Sequence, residues 1–279
     1  MPRYRLLALD IDGTLMNSRM ELTPATQQAV RQARRAGIEV VLATGRRYSR
    51  VLPLVNPLGV TVPLVTSTGA LIKDPRDHRT LYQARFSQKL LPQLVRWLWQ
   101  RGFDPVLCCD TFLQGFDYYC PRVAGVNPQL AEFYQKNPDC HRVLPRLLDQ
   151  PPPDAFCGFT MGTRQEMLQV EQALHEQFPG QLELHVLRSP RYEGFICEIM
   201  PGGVSKWSGI LHLARRWGIP PEQICAVGDD VNDVPMLRQA GLGVAMGNAL
   251  PQVKQAADRV APCHDSDGVA EVVRWLLAE

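Results

Sequence analysis

Two aspartates near the start of the chain stand two positions apart, directly after a short apolar run. Leu6–Leu9 is followed by Asp10 and Asp12, and then by Gly13 and Thr14. A short apolar run predicts a buried strand, in which residues i and i+2 point to the same side. We therefore expect both carboxylates to emerge together at the strand end, where the glycine allows a sharp turn. Because neighbouring carboxylates repel, a divalent cation or a shared proton must relieve them, and this favours chemistry over a plain acidic turn.

Three further segments place reactive types of side chain at the ends of predicted elements. Val40–Arg46 is an apolar strand that ends on Thr44 and a glycine, and Gly203–Lys206 opens a helical pattern with its lysine in the first turn. Ile224–Asp233 is a third apolar run that ends in a glycine and a cluster of polar residues. These polar residues are Asp229, Asp230, Asn232 and Asp233. The carboxyl ends of strands in an open parallel sheet line one crevice, so we expect these side chains to meet there.

The four motifs, taken together, resemble those of the haloacid dehalogenase superfamily of phosphatases, and within it the Cof-like branch. They are DIDGTL at 10–15, TGR at 44–46, PGGVSK at 201–206 and GDDVNDVPM at 228–236, with VAMGNA at 244–249 as a weaker companion. The motifs occur in the family's order and cover both ends of the chain. Two positions depart from the family pattern: Thr68 replaces the usual Asn, and Trp207 replaces the usual Gly after the lysine. The first departure could alter how the phosphoryl group is held, and the second is interpreted as a packing variation.

The resemblance implies a magnesium-dependent phosphatase that works through a covalent aspartyl-phosphate. Asp10 is then the nucleophile, Asp12 the general acid and base, and Thr44 and Lys206 offset the charge of the phosphoryl group. The resemblance also implies that Mg²⁺ is held by the Asp10 carboxylate, the Asp12 backbone carbonyl and Asp229, with waters completing an octahedron.

Two of the acidic residues are open to more than one interpretation. Asp229 is preferred to Asp230 as the metal ligand, because the first aspartate after the glycine matches the family motif. Asp233 either ligates the metal through water or holds Lys206 in place.

The remaining predicted site residues concern the phosphate and the substrate. Gly45 and Asn232 would form and orient a phosphate cradle, while Arg46 either binds substrate or stabilises its own turn. The expected substrate is a small phosphorylated metabolite, such as a sugar phosphate, a nucleotide or a phosphorylated cofactor. Two other functions remain open: a phosphotransferase or phosphosugar mutase that uses the same aspartyl-phosphate, and a binding or regulatory protein without turnover.

The order of predicted elements indicates an α/β protein with two domains. Strands alternate with helices at both ends of the chain, which predicts a doubly wound, Rossmann-like parallel sheet formed by residues 1–83 and 191–279. In residues 84–190 the predicted strands fall in groups, which indicates an inserted α+β cap domain for substrate specificity. Within that segment we predict a strand at 111–119 and a surface loop at 137–153, where prolines and charges are frequent.

Composition excludes several classes of protein. The 279 residues carry a net charge of only +2, and no basic run with interleaved aromatics suggests a nucleic-acid partner. No apolar stretch reaches the roughly 18 residues that span a bilayer, so no membrane association is expected. The first five residues lead directly into the strand that carries Asp10, so a cleavable signal peptide is not expected, because its removal would take the proposed site with it. The eight cysteines show no spacing typical of a zinc site. We therefore expect a cytoplasmic protein with reduced thiols, as a monomer or homodimer.

Overall fold

The structure is a computed structural model that describes residues 2–188 and 193–278. In chain order the strands are β1 (Leu6–Leu9), β2 (Glu39–Leu42), β3 (Leu64–Thr66), β4 (Leu71–Lys73), β5 (Thr80–Gln83), β6 (Val106–Cys108), β7 (Tyr118–Cys120), β8 (His141–Val143), β9 (Cys157–Gly162), β10 (Leu182–Leu187), β11 (Phe195–Pro201), β12 (Ile224–Gly228), β13 (Leu242–Ala245) and β14 (Arg259–Val260). The helices are α1 (Pro24–Arg35), α2 (Tyr48–Leu58), α3 (Leu90–Gln100), α4 (Pro128–Lys136), α5 (Arg164–Gln177), α6 (Lys206–Arg216), α7 (Val234–Gln239), α8 (Pro251–Lys254) and α9 (Gly268–Ala278).

These elements form two compact units. One contains the chain up to Tyr82 and from Ser205 onward, and the other is Gln83–Val204. The predicted boundary between residues 190 and 191 lies outside the described residues. The chain instead leaves the second unit after Val204, because β11 pairs with β9 and β10 and so belongs to the sheet of that unit.

The first unit is built on a five-stranded parallel sheet in the order β14-β13-β12-β1-β2. Leu6 and Ala8 of β1 pack in a cluster with residues of α6 and α7, whereas Leu7 and Leu9 point to the opposite face and are also fully buried. Both faces of the sheet are therefore covered, as expected for parallel strands made of continuous apolar runs. The predicted α/β fold with a parallel sheet is confirmed.

The register of the central strands brings two of the predicted motifs to one edge of the sheet. Leu9 of β1 lies opposite Val227 of β12, and the Asp10 backbone N–H donates to the Val227 carbonyl at 3.0 Å. The turns that follow β1 and β12 therefore start side by side. Because the strands are parallel, the carboxylates carried by those turns come together although about 220 residues separate them in the chain.

A close approach between two backbone segments positions α6, the helix that begins at Lys206. In the sheet β3-β4-β5 the strands β3 and β4 are antiparallel, and the turn between them includes Gly69 with a φ of +96°. A Cβ atom at Gly69 would lie 2.0 Å from the Ser205 carbonyl oxygen. Only glycine therefore lets this turn lie against the first turn of α6.

The second unit contains a six-stranded sheet in the order β10-β11-β9-β6-β7-β8. Helices α3 and α5 contribute to a core cluster on this sheet, which agrees with an α+β architecture. Two predictions for this segment were only partly correct. Within the predicted strand at 111–119, residues 112–114 form a short 3-10 turn, and only Tyr118 and Tyr119 belong to a strand, β7. The predicted loop at 137–153 contains β8, which pairs in parallel with β7.

None of the helices within residues 2–188 and 193–278 combines the length and the apolar character needed to cross a bilayer.

Candidate active site

Lys206 lies at the centre of a buried cluster of charges in the first unit. Its Nζ donates to Asp10 Oδ1 and to Asp233 Oδ1, both at 2.7 Å, and its side chain is only 2% exposed. Lys206 is the first residue of α6, and a reciprocal pair of hydrogen bonds between Ser205 and Ser208 fixes the start of that helix. Burial by itself lowers the pKa of Lys206, but the charges of Asp10 and Asp233 outweigh it and raise the pKa above its usual value. The lysine is therefore charged.

Asp233 holds both the lysine and the turn after β12. Its Oδ2 accepts the backbone N–H groups of Asp229 at 2.9 Å and of Asp230 at 3.0 Å, while its Oδ1 accepts from Lys206. The carboxylate can lie under this turn because Gly228 has no side chain: a Cβ there would be 2.4 Å from the Asp233 carboxyl carbon. Of the two interpretations of Asp233, the geometry favours the one in which it holds Lys206.

Asp229 reaches the same cluster from the other side. Carboxylate oxygens of Asp10, Asp229 and Asp233 all lie within 4.8 Å of one another. The Thr14 hydroxyl donates to Asp229 Oδ1 at 3.0 Å, and a Cβ at Gly13 would lie 2.1 Å from Asp229 Oδ2. Gly13 thus permits the two turns to approach closely.

Asp230 lies outside this cluster although it is the next residue. Its carboxylate accepts the backbone N–H of Val231 at 2.7 Å and caps the short 3-10 turn that follows. The structure therefore places Asp229, and not its neighbour, beside Asp10.

The clustered carboxylates favour a cation or protons between them. Burial, with further contributions from Asp233, Asp229 and Asp12, raises the pKa of Asp10 well above its usual range although Lys206 opposes the rise. Burial and then the charge of Asp233 raise the pKa of Asp229 to about 7. The carboxylates of Asp10 and Asp229 are the hard oxygen ligands that Mg²⁺ prefers, so these donors fit this ion. A divalent cation would relieve the repulsion that the single lysine only partly offsets.

Asp12 pairs with Arg46. The Arg46 guanidinium donates from Nε to Asp12 Oδ2 at 2.7 Å and from Nη2 to Asp12 Oδ1 at 2.5 Å, which is a bidentate contact. The Asp12 side chain is 37% exposed and that of Arg46 18% exposed. The nucleophile candidate is therefore buried, while the acid–base candidate is open to solvent and held by an arginine.

The predicted phosphate-binding residues lie at the ends of β2 and β12. Thr44 is buried, its Oγ1 accepts the Arg46 backbone N–H at 3.1 Å, and the half-buried Gly45 lies between them in the turn. Asn232 is buried, and its Oδ1 has no hydrogen-bond partner among the described residues. Since an unsatisfied buried polar atom is costly, this amide is suited to a partner that the described side chains do not supply.

Two residues that contact the cluster were not predicted as site residues. Thr14 lies within the DIDGTL motif, and its hydroxyl, two positions after the second aspartate, was the feature of the sequence that could have identified it. Asn248 donates from Nδ2 to Asp229 Oδ2 at 3.3 Å, and it lies in VAMGNA, the motif to which no chemistry was assigned.

Comparison with known proteins covers almost the entire chain. Residues 7–273 match the family model of the haloacid dehalogenase-like hydrolases. The chain is 30% identical to the phosphatase YwpJ of Bacillus subtilis, over 98% of this chain and 100% of that protein. It is 27% identical to the 5-amino-6-(5-phospho-D-ribitylamino)uracil phosphatase YcsE of the same organism, over 98% of this chain and 96% of that protein. A solved haloacid dehalogenase-like hydrolase from B. subtilis has a TM-score of 0.78 and 29% identity, covering 97% of this chain and 99% of that chain.

We expect Mg²⁺ binding to tighten by about tenfold between about pH 6 and pH 8, because protons and the cation compete for the same carboxylates. The pKa of Asp229 is about 7 and that of Asp10 is raised, so raising the pH removes the competing protons. Titration calorimetry in buffers of different ionisation enthalpy measures both the affinity and the protons released.

Asp229→Asn should weaken binding and flatten this pH dependence. Asp230→Asn is the matched control, because its carboxylate lies outside the cluster, and it should bind Mg²⁺ as the parent does. An affinity that does not change with pH in the parent would contradict the expectation.

Proposed function

Because the chain belongs to the haloacid dehalogenase-like hydrolase family, we propose that it hydrolyses a small phosphorylated metabolite through a covalent aspartyl-phosphate on Asp10. The family and the phosphatase class predicted from the four motifs are confirmed by the family match and the phosphatase relatives. The observation that carries the proposal is the buried contact of Lys206 with Asp10, beside two further carboxylates. Transfer of a phosphoryl group to a carboxylate requires the carboxylate as nucleophile and a positive charge beside it, and this contact supplies both.

In the first step an Asp10 carboxylate oxygen attacks phosphorus in line, and the bond from phosphorus to the leaving oxygen breaks. Lys206 and the Thr44 hydroxyl offset the negative charge of the phosphoryl group as it is transferred. Asp10, the Asp12 backbone carbonyl and Asp229 would hold Mg²⁺, which when bound supplies further electrostatic stabilisation. Asp233 acts through its contacts, since it keeps Lys206 directed at Asp10.

Asp12 transfers the protons. In the first step protonated Asp12 donates to the leaving oxygen, and in the second its ionised form accepts a proton from the water that attacks the acyl-phosphate. Arg46 engages both Asp12 oxygens through two parallel hydrogen bonds. We assign to Arg46 the role of releasing one oxygen when a phosphate dianion arrives, because that anion offers the guanidinium a second partner.

Gly45 and Asn232 would complete the phosphate cradle. The turn at Gly45 brings backbone groups next to Thr44, and the buried amide of Asn232 has an oxygen without a partner among the described residues. Turning that amide round would present its NH₂ group at the same position, and a phosphate oxygen could accept from it.

The experiment that tests the proposal is an assay of inorganic phosphate release across a panel of phosphorylated metabolites with Mg²⁺. Asp10→Asn should reduce kcat at least about a thousandfold, or about 4 kcal/mol of barrier, because the amide is neither nucleophilic nor anionic. Asp230→Asn, in the acidic turn but outside the cluster, is the control and should stay within about threefold of the parent.

The outcomes separate the proposal from its rivals. An Asp10→Asn variant within tenfold of the parent would exclude the covalent mechanism. Phosphorylated or isomerised sugars in place of free phosphate would indicate a phosphotransferase or mutase, and binding without turnover would indicate a regulatory protein.

Asp12→Asn should show a loss of rate that depends on the leaving group. For p-nitrophenyl phosphate, whose leaving group barely needs a proton, formation of the aspartyl-phosphate should slow far less than for an alkyl phosphate. Rapid-quench measurement of the first turnover isolates this step. Equal losses for good and poor leaving groups would count against Asp12 as the acid.

We further propose that the unit Gln83–Val204 selects the substrate, because the residues proposed for catalysis all lie in the other unit. A chimera in which the corresponding segment of the YcsE relative replaces Gln83–Val204 should still turn over substrate. Asp10→Asn in the chimera should abolish that turnover. The ranking of substrates by kcat/KM should shift toward that of YcsE. A folded chimera that keeps the parent's ranking would place specificity in the loops of the first unit, such as the turn that contains Thr68.

A further inference from the structure

The VAMGNA motif delivers one side chain to the acidic cluster. Val244 and Ala245 end β13, and Met246 and Ala249 are buried in the core, which leaves Asn248 as the exposed polar residue of the motif. An exposed asparagine at the end of a buried segment contributes little to packing. Its role must therefore be sought in the hydrogen bonds of its side chain.

Asn248 uses both ends of its amide to join three separate segments. Nδ2 donates to the Gly13 carbonyl at 2.8 Å and to Asp229 Oδ2 at 3.3 Å, while Oδ1 accepts the His264 backbone N–H at 3.1 Å. Gly13 belongs to the turn after β1, Asp229 to the turn after β12, and His264 to the segment before α9. The side chain thus connects the turn that follows the proposed nucleophile to the carboxylate proposed to hold the metal.

The orientation of this amide follows from chemistry alone. A backbone N–H can only donate, so the atom facing His264 must be the amide oxygen. The NH₂ group therefore faces the Gly13 carbonyl and the Asp229 carboxylate, both of which are acceptors.

Asp229 is consequently held at both of its oxygens by neutral donors. The Thr14 hydroxyl donates to Oδ1 at 3.0 Å, and the Asn248 amide donates to Oδ2. Each carboxylate oxygen can accept more than one contact, so these hydrogen bonds fix the plane of the carboxylate and leave it able to bind a cation.

The loop around Asn248 is itself fixed by close backbone contacts. A Cβ at Gly247 would lie 2.8 Å from the Cys263 backbone nitrogen and 3.0 Å from the Ala261 carbonyl oxygen. The Lys254 ammonium donates to the Gly247 carbonyl at 2.6 Å. The loop is thus held independently of the Asn248 side chain.

We infer that Asn248 is a positioning residue that orients Asp229 for Mg²⁺, an inference that rests on the proposed function. Groups that orient a metal ligand from outside the coordination shell change metal affinity by about tenfold to a hundredfold when they are removed. The loss of Asn248 should therefore act on metal affinity. The chemical step at saturating Mg²⁺ should change little, because the hydrogen bonds of Asn248 go to Gly13, Asp229 and His264 rather than to Asp10 or Lys206.

The test compares Asn248→Ala with Lys254→Ala. Titration calorimetry with Mg²⁺ alone, without substrate, should show affinity at least tenfold weaker in Asn248→Ala and within about twofold of the parent in Lys254→Ala. With p-nitrophenyl phosphate, kcat of Asn248→Ala at saturating Mg²⁺ should stay within about threefold of the parent. Thermal unfolding checks that both variants are folded. If Asn248→Ala is not folded, Asn248→Ser replaces it, because a serine side chain is too short to reach Asp229.

Each other outcome overturns the inference. Equal weakening in both variants would show that Mg²⁺ affinity depends on the loop as a whole, and unchanged affinity in both would show that Asn248 does not position the ligand. A loss of kcat at saturating Mg²⁺ in Asn248→Ala would assign it a role other than metal affinity. If the parent protein binds no Mg²⁺ in the same calorimetric experiment, the metal-dependent function itself fails, which distinguishes the two failures.

Discussion

The contact of a buried lysine with two buried carboxylates is the interaction on which the arrangement of the site depends. Removing an ammonium and two carboxylates from water is expensive, and only close, well-formed contacts offset that cost. Here Lys206 meets Asp10 and Asp233 at 2.7 Å, and Asp233 is satisfied further by two backbone N–H groups. Removal of Lys206 would leave two buried carboxylates without their ammonium partner, and removal of either carboxylate would leave the ammonium with one partner instead of two. The turn after β1, the turn after β12 and the start of α6 must therefore be placed together.

Three glycines make that placement possible, because at each of them another atom occupies the space that a side chain would need. Gly13 lies against the Asp229 carboxylate, Gly228 against the Asp233 carboxylate, and Gly69 against the carbonyl that precedes Lys206. At each position a Cβ would lie less than 2.5 Å from another atom, so the segments could not approach as they do. Close approach of other atoms, as much as turn geometry, explains why glycine occurs at these three positions.

The sequence predicted the first unit well because its signals reinforce one another there. Its strands β1, β2 and β12 are largely apolar, and each is followed by a motif, so both pattern and chemistry mark the strand end. In the second unit β9 reads CGFTMG, where two glycines and a threonine obscure any alternation, and its burial follows from its neighbours β11 and β6. Asn248 was missed for a similar reason. Its partners are a carbonyl, a carboxylate and a backbone N–H from three distant segments, and no local spacing encodes them.

The carboxylates of the site outnumber its cationic side chains. Within the described part of the chain, the cationic partners of the four site carboxylates are Lys206 and Arg46. These carboxylates are Asp10, Asp12, Asp229 and Asp233. When all are ionised, two negative charges remain without a cationic partner, which equals the charge that one Mg²⁺ neutralises. The raised pKa values of Asp10 and Asp229 express the same imbalance, since protons can occupy carboxylates that a cation does not. A phosphate dianion would be repelled by an acidic site of this kind, but a site neutralised by a divalent cation, with an arginine at its open side, can accept it.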